Sequence, residues 1–474
     1  MDMSARDLAE ATPATRDRYV DLLRVASLGT VVLGHWLMAA VSGDGIGNLL
    51  ALVPGLQILT WALQIMPVFF FVGGFSHALS YRSLERKAGG PGVYAAFLRA
   101  RLRRLLRPTL VFVLVWTAAA LAVQAAGRGD GRLSGAALRL VTQPLWFIGI
   151  YLAMVALTPP LLGLHRRWGW GAFAVLAGAA AAVDLLRFAA GVPHVEFLNF
   201  AFVWLAVHQL GFLRADGRLT PAGRTRLLRP AVLAAAGLAG AALLVAYGPY
   251  PLSMVGMPGE KVSNMAPPTL ALLCHGLWLV GAVELLGPPA ARLLARPRVW
   301  RGVVAANGIA MTAFLWHLTA MLAVYAAQLA LGMRLPEPAS AAWWAQVPVR
   351  LLLAAALTGL LVAAFRRFEA PAPAPAAGVP AAGVPAAGVP AAAGVPAAAG
   401  VPGAGASPRA AAGITLCLLG VLGLSMTGLG GLFEGRTATL VALPVTAPAA
   451  LAMALGGWYL VERSAPSRRV RLRG

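Results

Sequence analysis

Arg24 and His35 are the residues of this chain best placed to do chemistry. They stand eleven residues apart in the first long apolar run, 20–41. Eleven residues make three turns of an α-helix, so both side chains lie on one face, about 16 Å apart. A neutral imidazole accepts a proton from a hydroxyl near pH 7, and a guanidinium binds phosphate or carboxylate oxygens. Because ionisable groups at membrane depth are costly, the pair indicates a functional site; the structural alternative is a snorkelling arginine and a histidine bonded to a neighbouring helix.

The elements that must position this pair are membrane helices. Hydrophobic residues form 59% of the chain and charged residues 12%, against about 25% charged in soluble proteins. The apolar runs predict an all-α, polytopic transmembrane bundle with a ten-helix core and two further C-terminal helices. The second and ninth runs exceed one span, so each is expected to tilt or to carry an interfacial turn. The predicted spans are 20–41, 52–80, 108–127, 143–164, 170–188, 197–213, 231–249, 268–287, 303–331, 347–365, 413–432 and 438–461.

The net charge of +22 follows the order of these spans. With the N-terminus inside, every inner loop is richer in Lys and Arg than the outer loops, as the positive-inside rule requires. The charge is therefore a topology signal, with anionic lipid or a phosphorylated substrate as secondary uses, and nucleic acid is not expected as a partner. We expect a multi-pass protein of the cell membrane, without a cleavable signal peptide and with both termini cytoplasmic. The inner clusters are 82–107, 214–229, 292–301, 366–367 and 463–473.

A low-complexity segment divides the chain. Residues 370–412 are almost entirely Ala, Gly, Val and Pro, with five Gly-Val-Pro repeats. Such a sequence has no side chains with which to build a core, which predicts a disordered linker. The terminal helix pair holds few ionisable groups, which favours a packing role. The predicted organisation is a cytoplasmic tail at 1–19, a membrane domain at 20–369, the linker at 370–412, a helix pair at 413–461 and a basic cytoplasmic tail at 462–474.

Arg104 and Arg107 lie three residues apart, on one face of a helix at the inner membrane surface. They are suited to lipid headgroups and equally to the phosphates of a nucleotide-bearing donor. Cys274 and Cys417 both fall in apolar helices and predict no disulfide. The seven histidines show no zinc-like spacing, so no metal site is expected.

Taken in order, the motifs resemble the acyltransferase 3 family of integral-membrane O-acyltransferases, over roughly residues 16–369. Each motif alone is weakly specific, whereas their order and spacing together are far more so. The motifs are Arg24 with His35, Phe69-Phe70-Phe71-Val72-Gly73-Gly74-Phe75, Arg104-x-x-Arg107-Pro108, Pro144-Leu145-Trp146-Phe147-Ile148, and Asn307-Gly308 followed by Phe314-Leu315-Trp316-His317.

This resemblance implies transfer of an acyl group, often acetyl, from cytoplasmic acyl-CoA to a hydroxyl of a carbohydrate, lipid or other acceptor. His35 and Arg24 match the family's essential histidine and arginine, and His317 matches a recurring polar position, so these three are the expected catalytic residues. Arg104 and Arg107 match the basic motif near the donor, and with Arg103 they are the expected acyl-CoA-binding residues. Acyl-CoA is then a co-substrate, and no permanently bound cofactor is expected.

Several points stay open at this stage. His35 is suited either to deprotonate the acceptor or to carry the acyl group, and an arginine, Asn307 or a backbone amide is suited to stabilise the oxyanion. The fourth span lacks the glutamate of one large branch of the family, and no hydrolase-like domain is expected after the membrane block. The competing hypotheses are a transporter or flippase of a small polar or lipid-linked substrate, and a scaffold whose linker tethers partners. No internal repeat is visible, which disfavours a transporter.

Overall fold

The computed structural model is a bundle built almost wholly of helices. It describes residues 5–13, 16–42, 45–88, 92–126, 132–221, 223, 226–257, 259–369, 408–430, 437–440 and 443–464. The helices are α1 (Ala5–Glu10), α2 (Arg18–Met38), α3 (Leu49–Leu52), α4 (Thr60–Leu63), α5 (Met66–Ala88), α6 (Val93–Ala125), α7 (Arg132–Leu140), α8 (Pro144–Trp168), α9 (Trp170–Phe188), α10 (Asn199–Ala215), α11 (Leu228–Tyr247), α12 (Leu270–Leu285), α13 (Gly287–Leu294), α14 (Pro297–Ala330), α15 (Ala341–Phe365), α16 (Pro408–Thr427) and α17 (Ala447–Arg463).

The membrane-spanning architecture predicted from the apolar runs is confirmed. In the part of the chain that the structure describes, ten helices are long and apolar enough to cross a bilayer. An eleventh span arises if α12 and α13, which meet at a bend of 49°, are counted together. The twelfth predicted span corresponds to α17, which has seventeen residues. The protein is therefore a multi-pass membrane protein.

Two predicted boundaries differ from the structure. The first helix ends at Met38, and an antiparallel hairpin of β1 (Ala39–Ser42) and β2 (Gly45–Asn48) follows it. Helix α16 begins at Pro408, so residues 408–412 are helical although they were predicted to belong to the linker. The remaining linker residues, 370–407, lie outside the described part of the chain. A second hairpin, β3 (Thr437–Leu440) with β4 (Leu443–Thr446), precedes α17.

The second apolar run breaks into a short segment before its long helix. Asn48 caps α3 by accepting a hydrogen bond from Leu50 N at 2.9 Å. Pro54 then opens a 3-10 turn, Pro54–Leu59, which leads through α4 to α5. We call residues 49–64 the strap. The run was expected to be one tilted helix or to carry a turn. The structure shows a turn, Pro54–Leu59, that breaks the run before its long helix.

Helices α5 and α10 form the centre of the bundle because two glycines let their backbones touch. A Cβ on Gly74 would overlap the carbonyl oxygen of His208, and a Cβ on Gly211 would overlap that of Phe71. Large aromatic side chains fill the space around this contact, with Phe70 and Trp204 at a ring-centroid distance of 4.8 Å. The close approach places the polar residues at the ends of α5 and α10 side by side.

The C-terminal helices α16 and α17 form a tight pair against α6 and α8. A Cβ on Gly420 would overlap the backbone of Ala454, so the two helices meet through small residues. On the other face, Leu422 packs so closely on Gly149 of α8 that a Cβ at Gly149 would require the leucine side chain to move. We call this element the C-terminal hairpin.

Candidate active site

The structure brings His35 of α2 and His317 of α14 into direct contact. His35 Nδ1 lies 2.8 Å from His317 Nε2, a hydrogen-bond distance. Their ring planes are within 7° of parallel and their centroids are 5.1 Å apart. With the nitrogens so close, that centroid separation means that the rings lie edge to edge in nearly one plane, not face to face. The two predicted catalytic histidines therefore form one hydrogen-bonded unit.

The hydrogen-bond partners of His317 determine which of the two histidines donates in the bond between them. His317 Nδ1 lies 2.5 Å from the carbonyl oxygen of Phe314, which can only accept a hydrogen bond. In the neutral ring Nδ1 therefore carries the proton and Nε2 carries the lone pair. His317 Nε2 then accepts from His35 Nδ1–H, which leaves the lone pair of His35 on its Nε2. His35 is thus arranged as a base.

Tryptophan side chains fix the helices that carry this pair. Trp36 Nε1 donates to the carbonyl oxygen of His317 at 3.0 Å. Trp116 Nε1 donates to Thr319 Oγ1 at 3.0 Å and ties α6 to the same stretch of α14. Since His317 itself is fully buried, its ring has little freedom to turn, and the orientation of His35 follows from it.

A cavity of about 370 Å³ reaches His35. Aliphatic and aromatic side chains form most of its wall, and His35 retains some exposed surface there. The strap and the first hairpin cover one side, and the start of α8 covers another. The polar side chains in the wall besides His35 are Thr30, Asn48, Thr60, Gln64 and Gln143.

Arg24 lies three turns before His35 and belongs to a second polar site. It donates to Ser76 Oγ at 3.0 Å and pairs with Asp21 at 3.3 Å. Arg101 donates to the carbonyl oxygen of the same Ser76 at 2.9 Å. Asp21 is shared with Arg16, at 2.6 Å. A single carboxylate therefore serves two guanidinium groups beside Arg101, and we call Arg24, Arg101 and Arg104 the arginine cluster because their charges interact.

A comparison with known protein families decides what this arrangement belongs to. A family model described as an acyltransferase domain matches residues 17–367, most of the chain, including both histidines and the arginine cluster. The chain belongs to the acyltransferase 3 family. No curated protein and no solved structure matches it significantly. The match identifies an enzyme, which decides against the transporter, flippase and scaffold hypotheses.

The predicted donor-binding arginines of this acyltransferase do not act as one group. Arg103 faces α17 and binds Glu462 in a two-pronged pair, with Nε at 2.8 Å and Nη2 at 2.6 Å from the carboxylate oxygens. Arg104 and Arg107 are exposed. Arg101, which was not among the predicted donor-binding residues, binds the backbone of Ser76, whose hydroxyl Arg24 binds. The spacing of Arg101 and Arg104, three residues apart, is the signal from which their common face was predictable.

Asn307 lies at the arginine end of the acyltransferase, not beside His35. Its amide donates to the carbonyl oxygens of Asp21 at 3.2 Å and Val303 at 3.1 Å. It precedes His317 by ten residues of one helix, which is about 15 Å. Of the three groups left open for the oxyanion, Asn307 is therefore the one that the structure places away from His35, where its side chain ties α14 to α2.

Glu369 adds an acidic group to this end of the enzyme. Its carboxylate accepts hydrogen bonds from Thr312 Oγ1 at 2.6 Å and from the backbone nitrogens of Thr312 at 3.2 Å and Met311 at 3.4 Å. Burial raises the pKa of the Glu369 carboxyl, and these donors together with the Arg104 charge oppose that effect. No sequence pattern pointed to this contact.

A second histidine network lies between α5, α8 and α10. His77 Nδ1 is 3.1 Å from His208 Nε2, and His77 Nε2 is 2.9 Å from the Tyr151 hydroxyl. Thr158 donates its hydroxyl proton to Met154 O, so it can only accept from His77 Nδ1. His77 Nδ1 therefore carries a proton and His77 Nε2 accepts from Tyr151. Both nitrogens of His77 are occupied.

Next to it, Gln209 and Asp216 hold the buried His165. Gln209 Nε2 donates to His165 Nδ1 at 2.6 Å, and His165 Nε2 donates to Asp216 at 2.8 Å. Asp216 also accepts from Arg82 at 2.6 Å. This chain links α5, α8 and α10 at their ends near the arginine cluster. Neither network reaches the cavity at His35, so we assign both to the stability of the bundle.

Proposed function

We propose that this acyltransferase moves a short acyl group from cytoplasmic acyl-CoA to a hydroxyl of a carbohydrate, lipid or other membrane-associated acceptor. The proposal depends chiefly on one observation, the directed pair of His317 and His35 whose free lone pair meets a cavity. Such a lone pair accepts the proton of a hydroxyl, and acyl transfer to oxygen requires that step.

The arginine cluster supports acyl-CoA as the donor. Two half-buried guanidinium groups, Arg24 and Arg101, meet at Ser76 with Arg104 close by, and two carboxylates, Asp21 and Glu369, offset part of their charge. A CoA molecule carries a diphosphate and a ribose phosphate, which need several cations. Arg103 stays a prediction as a donor-binding residue, although its guanidinium is already paired with Glu462.

Ser27 supports a path between the two ends of the site. It lies one turn after Arg24 on the face of α2 that leads to His35. Its hydroxyl is buried and has no hydrogen-bond partner among the described residues. A buried hydroxyl without a partner is costly. The amide groups of a pantetheine arm that runs from the arginine cluster to His35 would supply the missing bond.

In the proposed reaction His35 Nε2 takes the proton of the acceptor hydroxyl while the hydroxyl oxygen attacks the thioester carbonyl. The new carbon–oxygen bond forms a tetrahedral oxyanion, and its collapse breaks the carbon–sulfur bond. The CoA thiolate leaves and takes the proton from His35, so the base is restored. His317 holds the developing imidazolium in place through its Nε2, and Phe314 O holds His317.

The cavity wall suggests the kind of acceptor, and the basic loop before α6 suggests the side of the membrane from which the donor enters. The wall is mostly aliphatic and aromatic, which suits an acceptor or an acyl group with apolar surface. The basic loop that leads into α6 belongs to the inner side by the positive-inside rule. With the arginine cluster at that side and His35 three turns away, the donor enters from the cytoplasm and the acceptor from the opposite leaflet, with both termini cytoplasmic.

Vesicles of defined orientation test this proposal. Inside-out vesicles given labelled acetyl-CoA should accumulate labelled ester in the lipid or glycan fraction, read by mass spectrometry. Sealed right-side-out vesicles should do so only after permeabilisation, because acetyl-CoA does not cross the bilayer. Vesicles with His194→Asn, a change at an exposed loop histidine, serve as the control. Equal labelling of sealed right-side-out vesicles would overturn the sidedness, and absence of ester with every short acyl-CoA would overturn the donor.

A further inference from the structure

Arg350 of α15 is a buried cation without a carboxylate. It is 7% exposed, and among the described residues no acidic side chain lies within ion-pair distance of it. It donates to the Tyr325 hydroxyl at 2.8 Å and to the carbonyl oxygen of Trp343 at 2.7 Å. The guanidinium also lies 5.4 Å from the Tyr325 ring centre and 4.7 Å from that of Trp343.

These contacts leave a surplus of donors. A guanidinium has five N–H donors, and the hydrogen bonds above use two. Trp343 is 1% exposed, and its indole N–H is buried without a partner in the part of the chain that the structure describes. Cation–π contacts offset part of the cost of a buried charge, but they supply no acceptor oxygen. The shortage is one of anionic acceptors.

A small pocket lies at these donors. Its volume is about 20 Å³, enough for one small group. It lies between α2, α14 and α15 and is lined by Trp36, Met321, Tyr325, Trp343, Val347 and Arg350. We call it the Arg350 pocket.

The Arg350 pocket adjoins the cavity at His35. Met321 lines both spaces, and Trp344, the neighbour of Trp343, lines the larger one. Met321 and Tyr325 follow His317 by one and two turns of α14, about 6 and 12 Å along the helix. Trp36 lines the pocket and donates to the His317 carbonyl oxygen. A group held in the pocket would therefore lie one to two helical turns beyond His317, next to the cavity that His35 faces.

We propose that the Arg350 pocket binds an anionic oxygen of the acceptor, so that the enzyme selects acceptors that carry an acidic group, such as a carboxylate. This inference rests on the proposed function, because it assigns the pocket to the substrate of His35. Arg350 supplies the charge, and the Trp343 N–H and the free guanidinium N–H groups supply the hydrogen bonds.

A purely structural role for Arg350 is the competing explanation, since it ties α14 to α15. Trp343→Phe separates the two, because it removes the indole N–H and keeps an aromatic ring and the backbone carbonyl that Arg350 uses. Trp300→Phe is the matched control, because it removes another buried indole N–H without a described partner, on a ring that also lies under an arginine but lines neither space.

Binding is tested first, without catalysis. The full chain is placed in phosphatidylcholine nanodiscs, and its melting temperature is followed with sodium glucuronate or glucose. Glucuronate should raise the melting temperature of the wild type and of Trp300→Phe, while glucose should not. The rise should be lost in Trp343→Phe and in Arg350→Gln. A rise that Trp343→Phe retains would overturn the proposal. So would stabilisation by phosphatidylglycerol but not by glucuronate, because the pocket would then hold a lipid headgroup.

Transfer is tested next with acetyl-CoA and two acceptors that differ only at C6, octyl glucuronide and octyl glucoside. The wild type should show a KM for the glucuronide about tenfold lower, the value of one charge-assisted hydrogen bond. Trp343→Phe should raise that KM and leave the glucoside unchanged. Equal effects on both acceptors would show a structural role only. If the glucuronate melting shift stands while no short acyl-CoA yields ester on these acceptors or in the lipid and glycan fractions of the vesicles, the pocket is correct and the proposed function is wrong.

Discussion

The acyltransferase contains two pairs of hydrogen-bonded histidines, and only one of them faces open space. His35 and His317 are 2.8 Å apart, and His77 and His208 are 3.1 Å apart. In the pair of His35 and His317, the backbone carbonyl of Phe314 orients both rings and leaves the lone pair of His35 at the cavity. In the pair of His77 and His208, Tyr151 and Thr158 make hydrogen bonds to the ring nitrogens of His77, and neither ring lines a described cavity. Contact between two histidines is thus no sign of catalysis by itself; a free, directed lone pair beside a cavity is.

The largest expected effect separates these pairs. His35→Ala removes the proposed base, so kcat/KM should fall by about 100- to 10,000-fold, the usual contribution of general base catalysis. His77→Gln should change kcat/KM by less than about threefold and should lower the melting temperature. Initial rates with labelled acetyl-CoA and thermal unfolding in the same membranes measure both. A larger rate loss in His77→Gln than in His35→Ala would reverse the assignment.

The next effect tests whether His317 acts through His35. His317→Ala leaves the base in place but removes the acceptor that orients it, so kcat should fall about tenfold to a hundredfold with a smaller change in KM. The pH dependence of kcat should shift as well, because His35 loses its hydrogen-bond partner. Unchanged kcat and an unchanged pH profile in a folded variant would show that His35 needs no orienting partner.

The arginines of α6 extend the comparison to the donor. Arg101→Ala should raise the KM for acetyl-CoA about tenfold, because a hydrogen bond to a charged group is lost. Arg103→Ala, a change at the residue before Arg104, removes an exposed pair with Glu462 that is worth about 1 kcal/mol at most. Its KM should stay near the wild-type value. A larger KM effect in Arg103→Ala would restore Arg103 as a donor-binding residue.

The smallest expected effect concerns Ser27, on the face of α2 between the arginine cluster and His35. Ser27→Ala removes a buried hydroxyl that has no described partner, so the melting temperature should hold or rise. If the hydroxyl binds the donor arm, the KM for acetyl-CoA should rise about threefold to tenfold. Thr358→Val, which removes another buried hydroxyl without a described partner, is the control and should leave KM unchanged. Identical KM values in both variants would place the donor elsewhere.

The sequence predicted the helices well, and it placed Arg24 and His35 on one face of the first helix, for physical reasons. Apolar length is a local property, and a spacing of eleven residues defines one face of a helix wherever that helix packs. His317 came only from the resemblance to the family, because nothing in its own helix distinguishes it from a packed histidine. The Phe314 carbonyl that orients it lies one turn earlier on the same helix, but its role also depends on the approach of α2, which belongs to tertiary structure.

The contacts that the sequence did not predict have the same origin. Arg103 and Arg101 are equivalent in the motif, and the choice between them depends on where α17 and α5 lie against α6. Asn307 looked suited to an oxyanion, but the position of α2 places Asp21 O beside it. The contact of His77 with His208 depends on two glycines 137 residues apart in sequence, Gly74 and Gly211. Such pairings require the assembled bundle.

The C-terminal hairpin has a practical consequence. The C-terminal hairpin binds the ten-helix block through side chains: Leu422 packs on Gly149, and Glu462 forms an ion pair with Arg103. Neither contact involves the segment that connects the two parts. If the chain is divided after residue 369, one fragment carries Gly149 and Arg103 and the other carries Leu422 and Glu462, so both sides of this contact surface are kept. Reassembly of the two fragments would give a split reporter for membrane insertion, with fluorescence complementation reading out when the two parts meet in one bilayer.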